Sequence, residues 1–215
     1  MTRRAETANS IRKSGVVAVV RTHKSDRVTA IAEALLEGGL SAIEITTSVP
    51  GAVDVLRTLS GALGNRILLG AGTVLDIETA KRFIDAGARF IISPIFRGDL
   101  LRLCHDHDVA VAPGCFTPTE IFEAWEVGAD FVNVFPATTL GPAYFRELRG
   151  PLPHLPIIPT GGVTLDNVAD WIAAGAVAVG VGTALLDAQA IDAGHYGVLT
   201  ARASAFLAAV KQARA

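Results

Sequence analysis

Two polar residues, Glu44 and Asn133, fall at equivalent places inside otherwise apolar runs of this 215-residue chain. Each stands five residues after a glycine, in Gly39-Leu-Ser-Ala-Ile-Glu-Ile and Gly128-Ala-Asp-Phe-Val-Asn-Val. Two further runs, Gly87-Ala-Arg-Phe-Ile-Ile-Ser and Gly175-Ala-Val-Ala-Val-Gly-Val, share the register and put Ile92 and Gly180 at that position. A carboxyl group buried without a cation is kept neutral, hydrogen-bonded or wet, and a raised pKa suits it to general acid/base work near neutral pH. The competing reading of Glu44 is a structural carboxyl tied to backbone groups. Arg21 offers a bidentate grip for a carboxylate, or else a salt bridge at the rim. Pro159-Thr160-Gly161-Gly162-Val163 and Gly180-Val-Gly182-Thr183 are two glycine-rich loops whose bare N–H groups could approach a phosphate, with the Thr183 hydroxyl as an added donor. The alternative is that these glycines only relieve crowding.

The elements that must position these groups follow from the same register. A helix-ending glycine followed by a buried apolar run is the join that a parallel sheet needs. The four joins recur every forty to fifty residues, the length of two strand–helix units. Eight strands and eight helices are expected, a (β/α)8 TIM barrel with an extra N-terminal helix. Residues 1–215 then form a single domain, with residues 1–14 as the capping helix. Strands are expected over Val16–Arg21, Ala42–Thr46, Leu68–Ala71, Phe90–Ser93, Val109–Ala112, Phe131–Phe135, Ile157–Thr160 and Ala176–Val181. Alternate strands of such a barrel share interior layers, so Glu44 and Asn133 should face one another. Ser25 opens the first helix after the cap, Pro50 marks the turn into the next, and Asp76, Thr117 and Thr164 read as N-caps. A final helix is expected over Leu199–Ala215. Function in this architecture sits at the C-terminal strand ends. That selects Arg21, Glu44, Thr46, Thr73, Ser93-Pro94, Pro113-Gly114-Cys115, Asn133, Phe135-Pro136, Thr160-Gly161-Gly162 and Gly182-Thr183. Of these, Arg21, Glu44, Thr73, Pro94, Asn133, Thr160, Gly161, Gly162, Gly182 and Thr183 are the expected site residues. The His105-Asp106-His107-Asp108 run falls on the far face and reads as a solvated helix end. Cys104 reads as core, and Cys115 as a candidate to line the site.

Composition narrows the field. Half the residues are hydrophobic and the formal net charge is −2, with no basic stripe, which argues against nucleic-acid binding. No apolar stretch is long enough to span a bilayer and no signal core follows Met1, so a cytoplasmic protein without membrane contact is expected. Two cysteines without CxxC or His-x3-His spacing argue against zinc. No metal and no cofactor are expected.

Ala18-Val-Val-Arg21, Ile43-Glu-Ile-Thr46, Gly70-Ala-Gly-Thr-Val-Leu75, Ile92-Ser-Pro94, Val111-Ala-Pro-Gly114, Phe135-Pro136, Pro159-Thr-Gly-Gly162 and Gly180-Val-Gly-Thr183 occur in that order. In combination they resemble the 2-keto-3-deoxy-6-phosphogluconate (KDPG)/4-hydroxy-2-oxoglutarate (KHG) aldolase family, from about Val16 to Leu186. The resemblance implies a lyase of carbohydrate metabolism. It would be a class I aldolase that gives pyruvate plus an aldehyde from a 2-keto acid or sugar acid phosphate, typically as a homotrimer. It implies a Schiff-base lysine on strand six and proton movement through a water by the strand-two glutamate, here Glu44. The lysine position, three residues before the Phe-Pro proline, is Asn133, and an amide nitrogen cannot form an imine. The four lysines, Lys13, Lys24, Lys81 and Lys211, fall in helices or loops. Ser48 stands where some members carry a carboxylate-binding arginine; others use the position of Arg21. Asn133 admits three readings: a substitution made to trap a complex, a relative that binds a sugar acid phosphate without cleaving it, or different chemistry on the same scaffold. The last would be an isomerase or epimerase with Glu44 as base and Asn133 polarising a carbonyl. A weakly active or inactive aldolase is the leading expectation.

Overall fold

A computed structural model of the protein describes residues 1–215. The chain opens with helix α1 (Arg3–Ser14), and the remaining helices are α2 (Val28–Glu37), α3 (Ala52–Leu63), α4 (Ile77–Asp85), α5 (Gly98–Asp106), α6 (Pro118–Glu126), α7 (Ala137–Arg149), α8 (Val168–Ala173), α9 (Ala188–Ala193) and α10 (Gly197–Ala213). Between them run β1 (Val16–Val20), β2 (Ala42–Thr46), β3 (Leu68–Gly72), β4 (Phe90–Ile92), β5 (Ala110–Ala112), β6 (Gly114–Cys115), β7 (Val132–Val134), β8 (Ile157–Pro159) and β9 (Val179–Val181). All pairings are parallel, in a curled six-stranded sheet ordered β5-β4-β3-β2-β1-β9 and a three-stranded sheet ordered β6-β7-β8. The sheets meet at two places. Pro113, which has no N–H, interrupts one extended segment between β5 and β6, and the Phe131 N–H reaches across to the Val111 carbonyl at 3.3 Å. On the other side a Thr160–Gly180 bridge and the Val177 N–H to Ile157 carbonyl bond, at 3.0 Å, join the end of β8 to the β9 segment.

Alternation along the strands sorts the core onto two faces. Val16, Ala18 and Val20, with Ile43 and Ile45, belong to a cluster of 57 residues that packs the sheet against the helices. Val17, Ala42, Phe90, Ile92, Phe131 and Ile158 belong to a cluster of 11 on the concave face, closed from the strands' N-terminal end by Ala8 and Ile11 of α1. The expected cap is therefore an apolar plug. It is anchored by the Asp108 carboxylate, which accepts from the Arg3 and Arg4 N–H groups at 2.7 and 3.2 Å. Gly39, Gly87, Gly128 and Gly175, the four helix-ending glycines of the sequence register, all lie in the left-handed region (φ +88, +107, +97 and +97).

Several expected boundaries move. Ser25 opens a short 3-10 turn, Ser25–Arg27, and the helix proper begins at Val28. The last strand begins at Val179, not Ala176, because the Ala176 N–H closes the end of α8 on the Trp171 carbonyl. Asp76 and Thr117 cap α4 and α6 as expected, Thr117 in a full capping box with Glu120. Thr164 does not cap α8. Its N–H donates to the Asn167 side chain at 2.9 Å, so the turn 164–167 precedes a helix that starts at Val168. The final helix covers Gly197–Ala213. The His105–Asp108 run is the partly exposed end of α5, as expected, but Asp108 also holds α1, and His105 is half-buried against Gly128.

Candidate functional site

Glu44 projects from the middle of β2 on the concave face, where Val19 and Gly70 are its strand partners. It is 3 % exposed, and its Oε2 has no hydrogen-bond partner. Gly72 makes room for it: a Cβ there would lie 1.5 Å from Glu44 Oε1, so the carboxyl reaches along β3 toward the C-terminal strand ends. Burial pushes the Glu44 pKa up to about 8, against a smaller pull downward from the Arg21 charge. Removal from water dominates because no donor holds the anion. The side chain is therefore a neutral acid near pH 7, not the backbone-tied structural carboxyl that the sequence also allowed.

Asn133, in the middle of β7 between Gly114 and Ile158, is equally buried at 3 %. Its Nδ2 donates to the Ser93 carbonyl at 3.0 Å, while its Oδ1 has no partner. Ser93, fully buried just past the end of β4, is among the expected strand-end positions, but its pairing with Asn133 is not legible in the sequence, since a backbone carbonyl leaves no mark on side-chain patterning. Pro94 follows it, and its carbonyl carbon would lie 2.1 Å from a Cβ on Gly114, so bare backbone is required at that crossing.

Arg21 and Thr73 are brought together, with Arg21 Nη2 donating to Thr73 Oγ1 at 3.1 Å. Arg21 is exposed and has no acidic partner, so the rim salt bridge does not form. Thr73 holds φ +59, an unusual value for a β-branched residue, and its carbonyl accepts from Thr47 Oγ1 at 3.1 Å. Ser48 turns to Thr46, with their hydroxyl oxygens 2.8 Å apart. Cys115 does not join this group. It packs in the helix-side cluster, with its thiol 3.3 Å from the Glu120 carbonyl and its pKa pushed up to about 12 by burial. Lys24 pairs with Asp192 at 2.6 Å.

Gly161 and Gly162 take φ +99 and +74, which only glycine adopts freely. The N–H groups of Gly161, Gly162, Val163, Gly182, Thr183 and Ala184 donate to no acceptor within the protein. The Thr160–Gly180 bridge holds the two loops side by side, and a Cβ on Gly180 would meet Thr160 Oγ1 at 2.4 Å. Asn167 fixes the first loop by donating to the Gly162 carbonyl at 2.8 Å. Thr138, at the start of α7, brings a hydroxyl to 2.8 Å from a Cβ on Gly162; it too escaped sequence reading, being neither on a strand nor in a glycine motif. The result is a concentration of free donors suited to an anion. A surface cleft of about 510 Å³ lies at the opposite end among Ser10, Lys13, Lys211 and Arg214, lined by no carboxylate, histidine or cysteine. No group of three or more His, Cys, Asp or Glu side chains is placed to hold a metal ion, and no helix is long and apolar enough to cross a membrane.

Residues 7–201 match the model of the KDPG and KHG aldolase family. The 2-dehydro-3-deoxy-6-phosphogalactonate aldolase of Escherichia coli K12 is 32% identical over 203 residues, covering 94% of this chain and 97% of that one. The 2-dehydro-3-deoxy-phosphogluconate aldolase of Treponema pallidum is 35% identical over 187 residues, 86% of this chain and 89% of its own. Among solved structures, the KDPG aldolase of Legionella pneumophila, with pyruvate captured at low pH as a covalent carbinolamine intermediate, superimposes with a TM-score of 0.86. It is 27% identical and covers 93% of this chain and 97% of that chain. With a family match across nearly its whole length and relatives above 30% identity over most of it, this chain belongs to the KDPG and KHG aldolase family.

Proposed function

We propose that the two sheets are one closed (β/α)8 barrel, a single domain over residues 1–215, and that its C-terminal mouth binds a 2-keto-3-deoxy sugar acid phosphate. Hydrogen bonds between every pair of neighbouring strand segments support the closure. The free amides of Gly161, Gly162, Gly182 and Thr183, with Thr160 beneath them, are the proposed phosphate site. Arg21 and Thr73, with the backbone at Pro94, are the proposed contacts for the keto-acid end. Glu44, neutral below about pH 8, is the proposed group that moves protons at the carbon next to the carbonyl. A homotrimer in the cytoplasm is the proposed state, the exposed Ile95, Phe116 and Phe135 at the rim offering apolar surface to a second copy.

The observation that carries this reading is a pair of buried polar groups, Glu44 and Asn133, each with a buried oxygen lacking a partner, set in an otherwise apolar interior. The relatives are aldolases, so aldol cleavage to pyruvate and an aldehyde is the reaction we assign to this scaffold. A carbinolamine of pyruvate needs an amine, and the lone pair of the Asn133 amide is delocalised into its carbonyl. Without the covalent electron sink, cleavage by this chain is expected to run several orders of magnitude more slowly than with a lysine at that position.

Incubation with pyruvate and borohydride followed by mass spectrometry tests this reading. The expected result is an unchanged mass, while Asn133→Lys gains a reduced pyruvate adduct and aldolase turnover. The apolar surroundings of the new ammonium would lower its pKa toward a usable range. An adduct on the unsubstituted chain would overturn the assignment and point to another lysine. The elevated Glu44 pKa favours one second reading, enolisation without cleavage. It would appear as deuterium entering the methyl group of pyruvate in D2O, lost in Glu44→Gln.

A further inference from the structure

We infer that Asn133 makes the reacting-carbon pocket selective for a carbon that bears a hydroxyl group, as in a 2-hydroxy acid or the hydrate of a 2-keto acid, over a planar ketone. The inference rests on the proposed reading of the site as one for a 3-deoxy sugar acid phosphate.

The amide's orientation is fixed by its partner. A backbone carbonyl has no proton to give, so the group facing the Ser93 carbonyl at 3.0 Å must be Nδ2 and not Oδ1. Asn133 therefore leaves Oδ1 as the group with no partner, and that atom is buried. An amide oxygen only accepts, so it is satisfied only by a ligand that donates. A ketone oxygen has no proton for Asn133, which keeps its buried acceptor unsatisfied. A hydroxyl group donates to Asn133 Oδ1 and satisfies it. The remaining N–H of Asn133 can serve either oxygen and does not discriminate. A lysine at this position would reverse the preference, since an amine attacks a ketone and has no acceptor oxygen to satisfy.

Leaving a buried acceptor unsatisfied weakens binding by about tenfold or more. The test is calorimetric titration of the unsubstituted chain with 2-dehydro-3-deoxy-6-phosphogluconate and, separately, with the two C2 epimers made by reducing it with borohydride. One reduced epimer should bind at least about tenfold more tightly than the ketone. Asn133→Leu, of similar volume but without the amide, should bring that ratio close to one, and inorganic phosphate binding reports that the variant retains its anion site. Equal or tighter binding of the ketone by the unsubstituted chain overturns the inference while the proposed function stands. So does a preference that survives in Asn133→Leu. If none of the three compounds binds, the proposed function falls with it.

Discussion

Replacing Glu44 with Gln should make the protein markedly more stable than the parent at high pH and leave it little changed at low pH. In the unfolded chain the carboxyl titrates near its ordinary value of 4.5, whereas in the fold burial holds it protonated to about pH 8. Because the folded pKa lies above the unfolded one, the unfolded state loses its proton first as pH rises. Stability is thus fullest below pH 4.5 and falls through the window up to about pH 8. The gap is roughly three and a half pKa units at about 1.4 kcal/mol each, a loss on the order of 5 kcal/mol. Gln has nearly the same shape and nothing to ionise, so Glu44→Gln should escape that loss. Urea unfolding of both proteins at pH 5 and pH 9 isolates the effect, since all other titrating groups are common to both. A little of the loss is already taken at pH 5, so the stability difference should widen by about 4 kcal/mol between the two pH values. At roughly 2–4 °C per kcal/mol for a chain of this size, this is roughly 8–16 °C in Tm. A difference independent of pH would refute the reasoning, and a difference of opposite sign would mean that Arg21 holds Glu44 as an anion.

The other perturbations are more local. Gly72→Ala puts a methyl group 1.5 Å from Glu44 Oε1, so the side chain must swing aside. Deuterium exchange into pyruvate should fall with a stability cost of about 1–3 kcal/mol, measurable by NMR and urea unfolding together. Gly162→Ala adds a Cβ 2.8 Å from Thr138 Oγ1 at φ +74, and should weaken inorganic phosphate binding about tenfold in calorimetry by turning one amide away. In Asp108→Ala, helix α1 loses the carboxylate that accepts from Arg3 and Arg4, and its amides should exchange hydrogen faster by mass spectrometry. The parent should show the same loosening at low pH. Although desolvation opposes it, those N–H bonds depress the Asp108 pKa, so the anchor is present above the usual carboxylate range and lost as pH falls through the folded value.

What the chain wrote openly was periodic or restricted to one residue type. The four glycines at Gly39, Gly87, Gly128 and Gly175 are legible because a left-handed helix end admits little else. The strand alternation is legible because one-residue slips would expose a whole apolar face. Glu44 and Asn133 stood out for the same reason, as polar residues at positions that the pattern reserves for apolar ones. Tertiary structure alone decided what these groups meet. Gly72 shapes the space for Glu44, and Ser93 orients Asn133 through a backbone carbonyl from another strand. The Asp108 anchor for α1 lies over a hundred residues away in sequence, and Thr164 loses its cap to a competing Asn167 side chain. The elevated Glu44 pKa belongs to the same class. A sequence shows that a carboxyl is present, but the work of ionising it depends on how many donors and how much water remain within reach once every strand has closed around it.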